Sequence, residues 1–163
     1  MAKKKEIKTN AMRFLDDNKV EYKHYEFDAT SEEARTGVGV ANLIGKDFNQ
    51  VFKTILTVDD KKNCYVAVVM SDDNIDFKKL AKVAGVKSLS MLPLKDLTAT
   101  TGYVKGGCSP FAMKKLFPTF VDKKCELVET IIVSAGKVGH QVEINPTVLV
   151  EKISAKIEDI VKE

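Results

Sequence analysis

Lys53 is the residue whose type and setting most directly suggest chemistry in this 163-residue sequence. It shares one face of the alternating segment 51–58 with Val51 and Ile55. A lysine between two β-branched apolar residues either lies at a sheet edge, with its ammonium in water, or lies inside a pocket. Inside a pocket the ammonium could bind a phosphate, a hydroxyl or a carbonyl of a ligand. The residue types leave both interpretations open.

Two glycine-containing segments could bring backbone groups to a ligand. The first is Thr101-Gly-Tyr-Val-Lys-Gly-Gly-Cys-Ser-Pro110, and the second is Ser134-Ala-Gly-Lys-Val-Gly-His-Gln141. Glycines at 102, 106 and 107 allow the backbone to approach a ligand and to direct amide groups at a developing negative charge. Strings of glycine and proline also form ordinary tight turns, and this alternative stays open.

Side chains that could act as nucleophiles or metal ligands are few. His24 and His140 are the two histidines, and neither has a ligand partner at helical spacing, so we expect structural or solvated roles. Cys64 begins a predicted strand and is expected to pack. Cys108, in the glycine-rich segment, is the better candidate, although a nucleophilic cysteine needs a positively charged setting and a base. Serine-hydrolase, zinc-protease and nucleotide-loop motifs are absent, and we expect neither a metal nor a cofactor.

The composition is that of a globular protein, and we expect one domain over residues 1–163. Hydrophobic residues form 44% and charged residues 30% of the chain, with 26 basic and 23 acidic residues giving a net charge of +3. This balance argues against coating of nucleic acid but permits a local basic patch. The lysines of residues 3–8 could contact phosphate, although a solvated basic tail is the simpler interpretation.

Cysteine usage and hydropathy predict a cytoplasmic protein without a membrane segment. The three cysteines, at positions 64, 108 and 125, contain no C-x-x-C pair, so we expect no disulfide framework. The charged start of the chain is not followed by an apolar stretch, which argues against a secretory signal. The longest strongly apolar run, 65–70, is too short to cross a bilayer.

Hydrophobic periodicity predicts an α+β fold with a mixed, partly closed sheet. A helix over about 4–18 and a strand over 20–27 come first. A capping box from Thr30 to Glu33 then predicts a short helix, with a further helical turn before Gly45. The remaining predicted elements are a hairpin of 51–58 and 63–70, a helix from Asp76 to Ala84, a short helix after Pro93, a hairpin of 131–134 and 141–144, a helix over 146–154 and a closing strand over 157–161.

Four segments in this order resemble the YbaK/EbsC family. These are Cys-tRNA(Pro) deacylases related to the editing domain inserted in bacterial prolyl-tRNA synthetases. The matching segments are Val51-Phe-Lys-Thr54, Thr101-Gly-Tyr-x-x-Gly-Gly-x-Ser-Pro110, Lys114-Lys115, and Val133-Ser-Ala-Gly-x-x-Gly139 leading into Val142-Glu-Ile-x-Pro146. The resemblance extends from about Tyr22 to the end of the chain, and the pairing of the two glycine segments is its most specific part.

The resemblance implies a single α+β domain built on a mixed, partly closed, barrel-like sheet surrounded by helices, with a pocket for the aminoacylated 3′ end of tRNA. It implies that Lys53 lies near the terminal adenosine or the ester. It also implies that backbone groups of Gly106 and Gly107 face the aminoacyl carbonyl. These three residues are the expected catalytic positions, which position the substrate and stabilise the carbonyl.

Further residues are expected to bind substrate because they match positions of the same family. Thr54 would lie beside the lysine, and Tyr25 would line the pocket. Ser134 would donate a hydrogen bond from the opposite wall, and Ser109 belongs to the matching glycine segment. Gln141 occupies a position that is polar but variable. An alanine at 135, where some relatives have glycine, and a longer 34–45 segment leave the amino-acid specificity open.

The resemblance implies a reaction that needs no protein nucleophile, because the thiol of the mischarged cysteine attacks its own ester. Intramolecular attack of this kind reaches effective molarities of about 10⁵–10⁸ M when the geometry is right. Two alternatives stay open. One is water attack on a tRNA mischarged with alanine or serine. The other is a non-catalytic regulatory protein that binds an aminoacylated or nucleotide ligand. Prolyl-tRNA synthetase is the candidate protein partner that the resemblance suggests.

Overall fold

The computed structural model describes residues 7–163, and the fold in this range is α+β. The α-helices are α1 (Asn10–Asp17), α2 (Gly37–Ile44), α3 (Phe77–Ala84), α4 (Leu97–Thr101) and α5 (Thr147–Ile153). The strands are β1 (Lys23–Glu26), β2 (Phe52–Val58), β3 (Cys64–Met70), β4 (Ser90–Met91), β5 (Thr119–Asp122), β6 (Ile131–Ser134), β7 (His140–Ile144) and β8 (Lys156–Glu158). Four 3₁₀ turns in the described range lie at Glu32–Arg35, Phe48–Gln50, Leu94–Asp96 and Lys123–Leu127.

The predicted hairpin of β2 and β3 is confirmed and forms the middle of a five-stranded sheet. The strand order is β4-β2-β3-β5-β8. β2 pairs with β3 in antiparallel register, with Lys53 opposite Val69, whereas β5 and β8 continue the sheet in parallel orientation. Val66, Val68 and Val69 are buried, as expected for a central strand that is apolar on both faces.

The second sheet has three antiparallel strands in the order β1-β7-β6. A single parallel bridge between Val51 and Ile132 joins it to the start of β2. The predicted mixed sheets are present, but the prediction that they partly close into a barrel is wrong. Within residues 7–163 the two sheets are paired only at this bridge and remain open. Strands β4 and β5 were not predicted from the sequence.

The N-terminal elements differ from the prediction in their caps. α1 begins at Asn10, because the Thr9 hydroxyl accepts a hydrogen bond from the Met12 amide. Residues 4–6 of the predicted helix, like Lys3, lie outside the described range. The predicted capping box is wrong: the Asp28 carboxylate, and not Glu33, accepts the hydrogen bond from the Thr30 amide.

Helix α2 lies close against its neighbours because two glycines leave room for them. The Thr36 hydroxyl caps the helix by accepting from the Gly39 amide, and Gly45 ends it at φ +71°. A Cβ built on Gly37 would lie 2.2 Å from the Ser71 Cβ, and one built on Gly39 would lie 1.7 Å from the Glu33 carbonyl oxygen. The helix therefore packs directly on the chain that follows β3, which fixes one wall of the site described below.

The C-terminal predictions are largely confirmed. Asp76 caps α3 with its carboxylate, and Gly85 ends that helix at φ +76°. β6 and β7 form the predicted hairpin, with Ser134 opposite Gln141. Asn145 accepts from the Thr147 amide at the start of α5. In residues 7–163, no helix combines the length and the apolar character that a membrane crossing requires.

Candidate functional site

A cavity of about 570 Å³ opens where the two sheets meet, between α2, the start of β2 and the two glycine segments. A volume of this size is typical of a small-molecule site. Its floor consists of buried or half-buried side chains, and its rim consists of exposed ones. The lining residues include Val40, Val51, Phe52, Lys53, Thr54, Ser71, Cys108, Ser134 and Gln141 on the floor and Arg35, Thr36, Val38, Phe48, Asp72, Gly106 and Val138 at the rim.

Lys53 lies in this cavity, which resolves the choice between a sheet edge and a pocket. Its side chain is half-buried, and it forms no ion pair with another described residue within 4 Å. Burial lowers the pKa of the Lys53 ammonium, while the charges of Asp73 and Asp72 oppose this effect. An ammonium held in this way has hydrogen-bond donors available for an anionic or polar ligand.

Thr54, the next residue of β2, also lines the cavity. Its hydroxyl oxygen is buried, and no hydrogen-bond partner for it exists among residues 7–163. Buried hydroxyl groups almost always have a partner, so an orphaned hydroxyl beside a cavity is suited to bind a polar group of a ligand. The position agrees with the predicted one beside Lys53.

The first glycine segment contributes one of its three predicted site residues to the cavity wall. Gly106 lines the cavity with φ +81°, a conformation that favours glycine. Gly107 lies behind it, where a Cβ would lie 3.1 Å from the Val138 amide nitrogen. Ser109 is fully buried, and its hydroxyl accepts from the Phe111 amide at 3.3 Å. Gly107 and Ser109 therefore do not line the cavity but support the segment that does.

The second glycine segment supplies the wall nearest to β7. Ser134 and Gln141 are directly opposite each other in the β6–β7 ladder, and both line the cavity. The Ser134 hydroxyl accepts from the Gly136 amide at 3.1 Å, which leaves its own proton free to donate. The Gln141 amide, in a residue only 8% exposed, has no side-chain hydrogen bond within the described range. Both groups can therefore hydrogen-bond a ligand.

The expectation that Tyr25 lines the pocket is wrong in this structure. Its hydroxyl donates at 2.6 Å to the carboxylate of the buried Glu143, and this hydrogen bond raises the pKa of Tyr25 to about 12. Glu143 also accepts from the Thr130 hydroxyl and pairs with Lys46 at 3.4 Å. Tyr25 therefore belongs to a polar network, Tyr25–Glu143–Thr130–Lys46, that ties β1 and β7 to the end of α2.

Neither histidine lines the cavity, and the thiol that does is a poor nucleophile. His24 and His140 contact each other through ring nitrogens 2.8 Å apart, on the other face of β1 and β7. Burial lowers the pKa of His140. Burial also raises the pKa of the Cys108 thiol to about 11, so it stays protonated near neutral pH. The predicted structural role of the histidines agrees with this arrangement.

The residues at the rim of the cavity were not predicted from the sequence. Arg35, Thr36, Val38 and Phe48 come from the segment 34–50, which has no strong motif, and Asp72 follows β3. The glycines at 37 and 39 were the available signal, because they allow this segment to fold onto the sheet. Within residues 7–163, the structure contains no group of three His, Cys, Asp or Glu side chains that could hold a metal ion.

The geometry is suited to binding a polar substrate with a carbonyl group and to stabilising negative charge on it. The ammonium of Lys53, three hydroxyls and one side-chain amide lie at a partly apolar floor; the hydroxyls are those of Thr54, Ser71 and Ser134, and the amide is that of Gln141. Groups fixed in this way stabilise a developing oxyanion without needing to reorganise during the reaction. A paired base and nucleophile, which acyl-transfer enzymes with a covalent intermediate use, is not present among the described lining residues.

Comparisons with known proteins agree with this geometry. The family model "Aminoacyl-tRNA editing domain" matches residues 31–152. EbsC of Enterococcus faecalis, provisionally named a Cys-tRNA(Pro)/Cys-tRNA(Cys) deacylase, is 47% identical over 161 residues, which are 98% of each chain. A crystal structure described as a proposed trans-editing enzyme for prolyl tRNA synthetase is 19% identical, with a TM-score of 0.82 over 97% of this chain and 100% of that one. A second, of a hypothetical protein, is 20% identical, with a TM-score of 0.84 over 94% and 100% of the two chains. These two structures share the fold.

Proposed function

We propose that this chain, which belongs to the family of aminoacyl-tRNA editing domains, removes cysteine from a mischarged tRNA by cleaving the aminoacyl ester. The name of its Enterococcus faecalis relative supports cysteine as the amino acid and the proline and cysteine tRNAs as carriers. One observation carries the proposal: the half-buried ammonium of Lys53 lies in a cavity whose described walls offer hydrogen-bond groups but no histidine.

The cavity provides a group for each polar part of an aminoacyl ester. Lys53 and the orphaned Thr54 hydroxyl would contact the ester and the terminal ribose. The backbone of Gly106 would face the carbonyl, and Ser134 and Gln141 would bind from the wall nearest to β7. Backbone and side-chain donors aimed at an oxyanion typically lower the barrier by about 3 kcal/mol each. The predicted roles of these five residues are therefore compatible with their positions.

The thiol of the substrate supplies the nucleophile in the proposed reaction. The sulfur attacks the carbonyl carbon, a C–S bond forms, and the oxyanion is stabilised by Lys53 and the loop at Gly106. The C–O bond to the ribose then breaks, and the ribose oxygen takes the proton that the thiol gives up. The products are tRNA with a free hydroxyl and a cysteine thiolactone, which water later opens. The proposed reaction requires no oxidant, metal or protein nucleophile.

The protein's own cysteine in the cavity does not compete for this role. Cys108 is 9% exposed, and its raised pKa keeps it as a neutral thiol. The ammonium of Lys53, in contrast, can stabilise the thiolate form of a bound substrate through its positive charge. Burial of the Cys108 thiol and the positive charge of Lys53 beside a bound substrate therefore both favour attack by the substrate's sulfur.

Editing of this kind has a physical reason. A synthetase pocket built for proline rejects a slightly smaller amino acid by only about 1–3 kcal/mol, so some cysteine is attached. A separate site that destroys the wrong ester completes the discrimination. Association with prolyl-tRNA synthetase remains a prediction, for which the resemblance to its inserted editing domain is the basis.

The proposal is tested by incubating the purified chain with Cys-tRNA(Pro) and measuring the ester that remains against spontaneous hydrolysis. We expect fast loss with the wild type and at least a hundredfold slower loss with Lys53→Ala. Lys61→Ala, in the exposed β2–β3 turn, is the matched control and should retain full activity. An ester that survives longer with protein than without it would instead show a binding protein, and normal activity of Lys53→Ala would remove Lys53 from the site.

A further inference from the structure

An exposed aromatic ring stands at the rim of the cavity. Phe48 lies in the 3₁₀ turn Phe48–Gln50, just before β2, and 46% of its surface is exposed. It lines the same cavity as Lys53, and it belongs to none of the hydrophobic clusters of the described core. Val38 and Val138, also exposed by about two-fifths (42% and 41%), line the rim with it. Exposed apolar groups gathered at one opening indicate a binding surface.

Cationic side chains accompany these apolar ones. Arg35 lines the cavity opening from the segment that precedes α2. Lys105 and Lys137 are the chain neighbours of the lining residues Gly106 and Val138. The two lysines lie on loops in backbone contact, since a Cβ on Gly107 would lie 3.4 Å from the Lys137 Cα.

Asp72 is the one carboxylate among the described lining residues, and its charge acts on Lys53. Carboxylates also flank the lining residues, at Asp28, Glu33, Asp47 and Asp73, so the opening as a whole is not positive. The positive charge is local to the glycine loops, where segments 104–109 and 136–140 contain the two lysines and no carboxylate. Positive charge on this side of the opening attracts the phosphates of a nucleic acid strand.

An aromatic platform next to lysines and arginine is the arrangement that binds single-stranded nucleic acid, in which bases stack on rings and phosphates contact cations. We infer that Phe48 stacks on the base of the terminal nucleotide of the tRNA, while Lys105 and Lys137 contact the phosphates that precede it. The inference rests on the proposed function, because it takes the ester at Lys53 as the point from which the strand leaves the cavity. The floor would hold the amino acid and the ribose, and the rim would hold the base.

This assignment makes Phe48 a binding residue with a specific kinetic signature. Loss of the ring weakens binding of the tRNA end without altering the groups around the ester. Phe48→Ala is therefore expected to raise KM by roughly fivefold or more, with kcat changed less than twofold. Phe48→Tyr retains a stacking surface and should retain the wild-type KM. The control is Leu116→Ala, because Leu116 is an exposed apolar residue (64% exposed, against 46% for Phe48) that does not line the cavity.

A direct measurement of stacking is possible because the chain contains no tryptophan. Phe48→Trp places the only tryptophan of the variant at the rim, where it can be excited selectively over the four tyrosines, and stacking on a base quenches its fluorescence. The probe is an RNA minihelix that ends in CCA and carries no amino acid, compared with the same RNA carrying an abasic terminal nucleotide. We expect strong quenching by the first RNA and little by the second, and no quenching of Leu116→Trp by either. Equal quenching by both RNAs, or none, would overturn the assignment of the terminal base to Phe48.

The two lysines are tested through the salt dependence of binding by the same minihelix. Removal of one lysine–phosphate interaction should reduce the slope of log affinity against log salt by roughly 0.7. We expect this reduction for Lys105→Ala and Lys137→Ala, and an unchanged slope for Lys61→Ala. Unchanged slopes for all three variants would overturn the assigned phosphate interactions. If the CCA minihelix binds and quenches the Phe48→Trp fluorescence but the wild-type protein cleaves no aminoacyl ester, the proposed function is refuted and this binding site is retained.

Discussion

Gly107 lies against the tip of the β6–β7 hairpin, where a Cβ built on it would be 3.1 Å from the Val138 amide nitrogen and 3.3 Å from the Lys137 carbonyl carbon. The two glycine segments, which strand β5 separates along the chain, thus form one wall of the cavity. Because both partners of this contact are backbone, neither can move aside as a flexible side chain would. The spacing of the wall is set by the absence of a Cβ at this residue.

Gly107→Ala is expected to separate the two loops by a few tenths of an ångström and to lower deacylation at least tenfold. The cost in the free energy of unfolding should be about 1–3 kcal/mol, as for overpacking elsewhere. Gly85→Ala is the control. Its φ of +76° strains an alanine, but a Cβ built there has no neighbouring atom within 4 Å. The free energy of unfolding should therefore fall by about 1 kcal/mol while deacylation stays unchanged. Equal activity of Gly107→Ala and wild type would contradict the role of this wall.

Asp72→Asn should shift the alkaline limb of the pH–rate profile to lower pH. The carboxylates of Asp73 and, to a smaller extent, Asp72 raise the pKa of Lys53 and so oppose the lowering that burial causes; of the two, Asp72 lines the cavity. Without that charge the ammonium gives up its proton at a lower pH, and activity that needs the ammonium falls earlier as pH rises. Rates are corrected for spontaneous ester hydrolysis at each pH. Asp60→Asn, in the exposed turn after β2, should leave the limb in place, and an unmoved limb in Asp72→Asn would argue against an essential Lys53 ammonium.

Glu143→Gln should destabilise the protein in a pH-dependent way. Burial alone would raise the pKa of Glu143, but hydrogen bonds from Thr130 and Tyr25 and the charge of Lys46 lower it overall. A carboxylate with a lowered folded-state pKa stabilises the fold above its unfolded-state pKa of about 4.3, and that contribution is lost as pH falls through the lowered value. Denaturant unfolding of both proteins from pH 7 to pH 3 should show a difference that shrinks below about pH 4. A constant difference would show that the effect is not ionic.

Cys108→Ala should retain deacylase activity within about threefold of the wild type. The thiol is buried and neutral, and the proposed reaction takes its sulfur from the substrate. A modest loss of stability is expected, because Cys108 packs in the main core cluster. Steady-state deacylation and thermal unfolding measured together separate the two effects. A folded Cys108→Ala protein without activity would mean that the protein, and not the substrate, supplies the nucleophile.

The hairpin that carries Lys53 could be predicted from sequence because its alternation is long and is bounded by a polar turn. Alternation also assigned Lys53 to the face of Val51 and Ile55, but it could not show that a cavity lies beside this end of the strand. The same limit explains Tyr25, whose hydroxyl turns to Glu143. Phe48 was missed because an exposed ring in a three-residue turn has no pattern, and its position depends on the packing of α2.

The most direct test of the central claim compares deacylation of Cys-tRNA(Pro), Ala-tRNA(Pro) and Ser-tRNA(Pro) by the purified chain. The three esters differ only in the substituent on the β-carbon, so the comparison isolates the thiol. Attack by the substrate's thiol predicts rapid loss of cysteine and loss of alanine and serine near the spontaneous rate. Equally rapid loss of alanine or serine would contradict attack by the substrate's sulfur and would require water as the nucleophile in the cavity at Lys53.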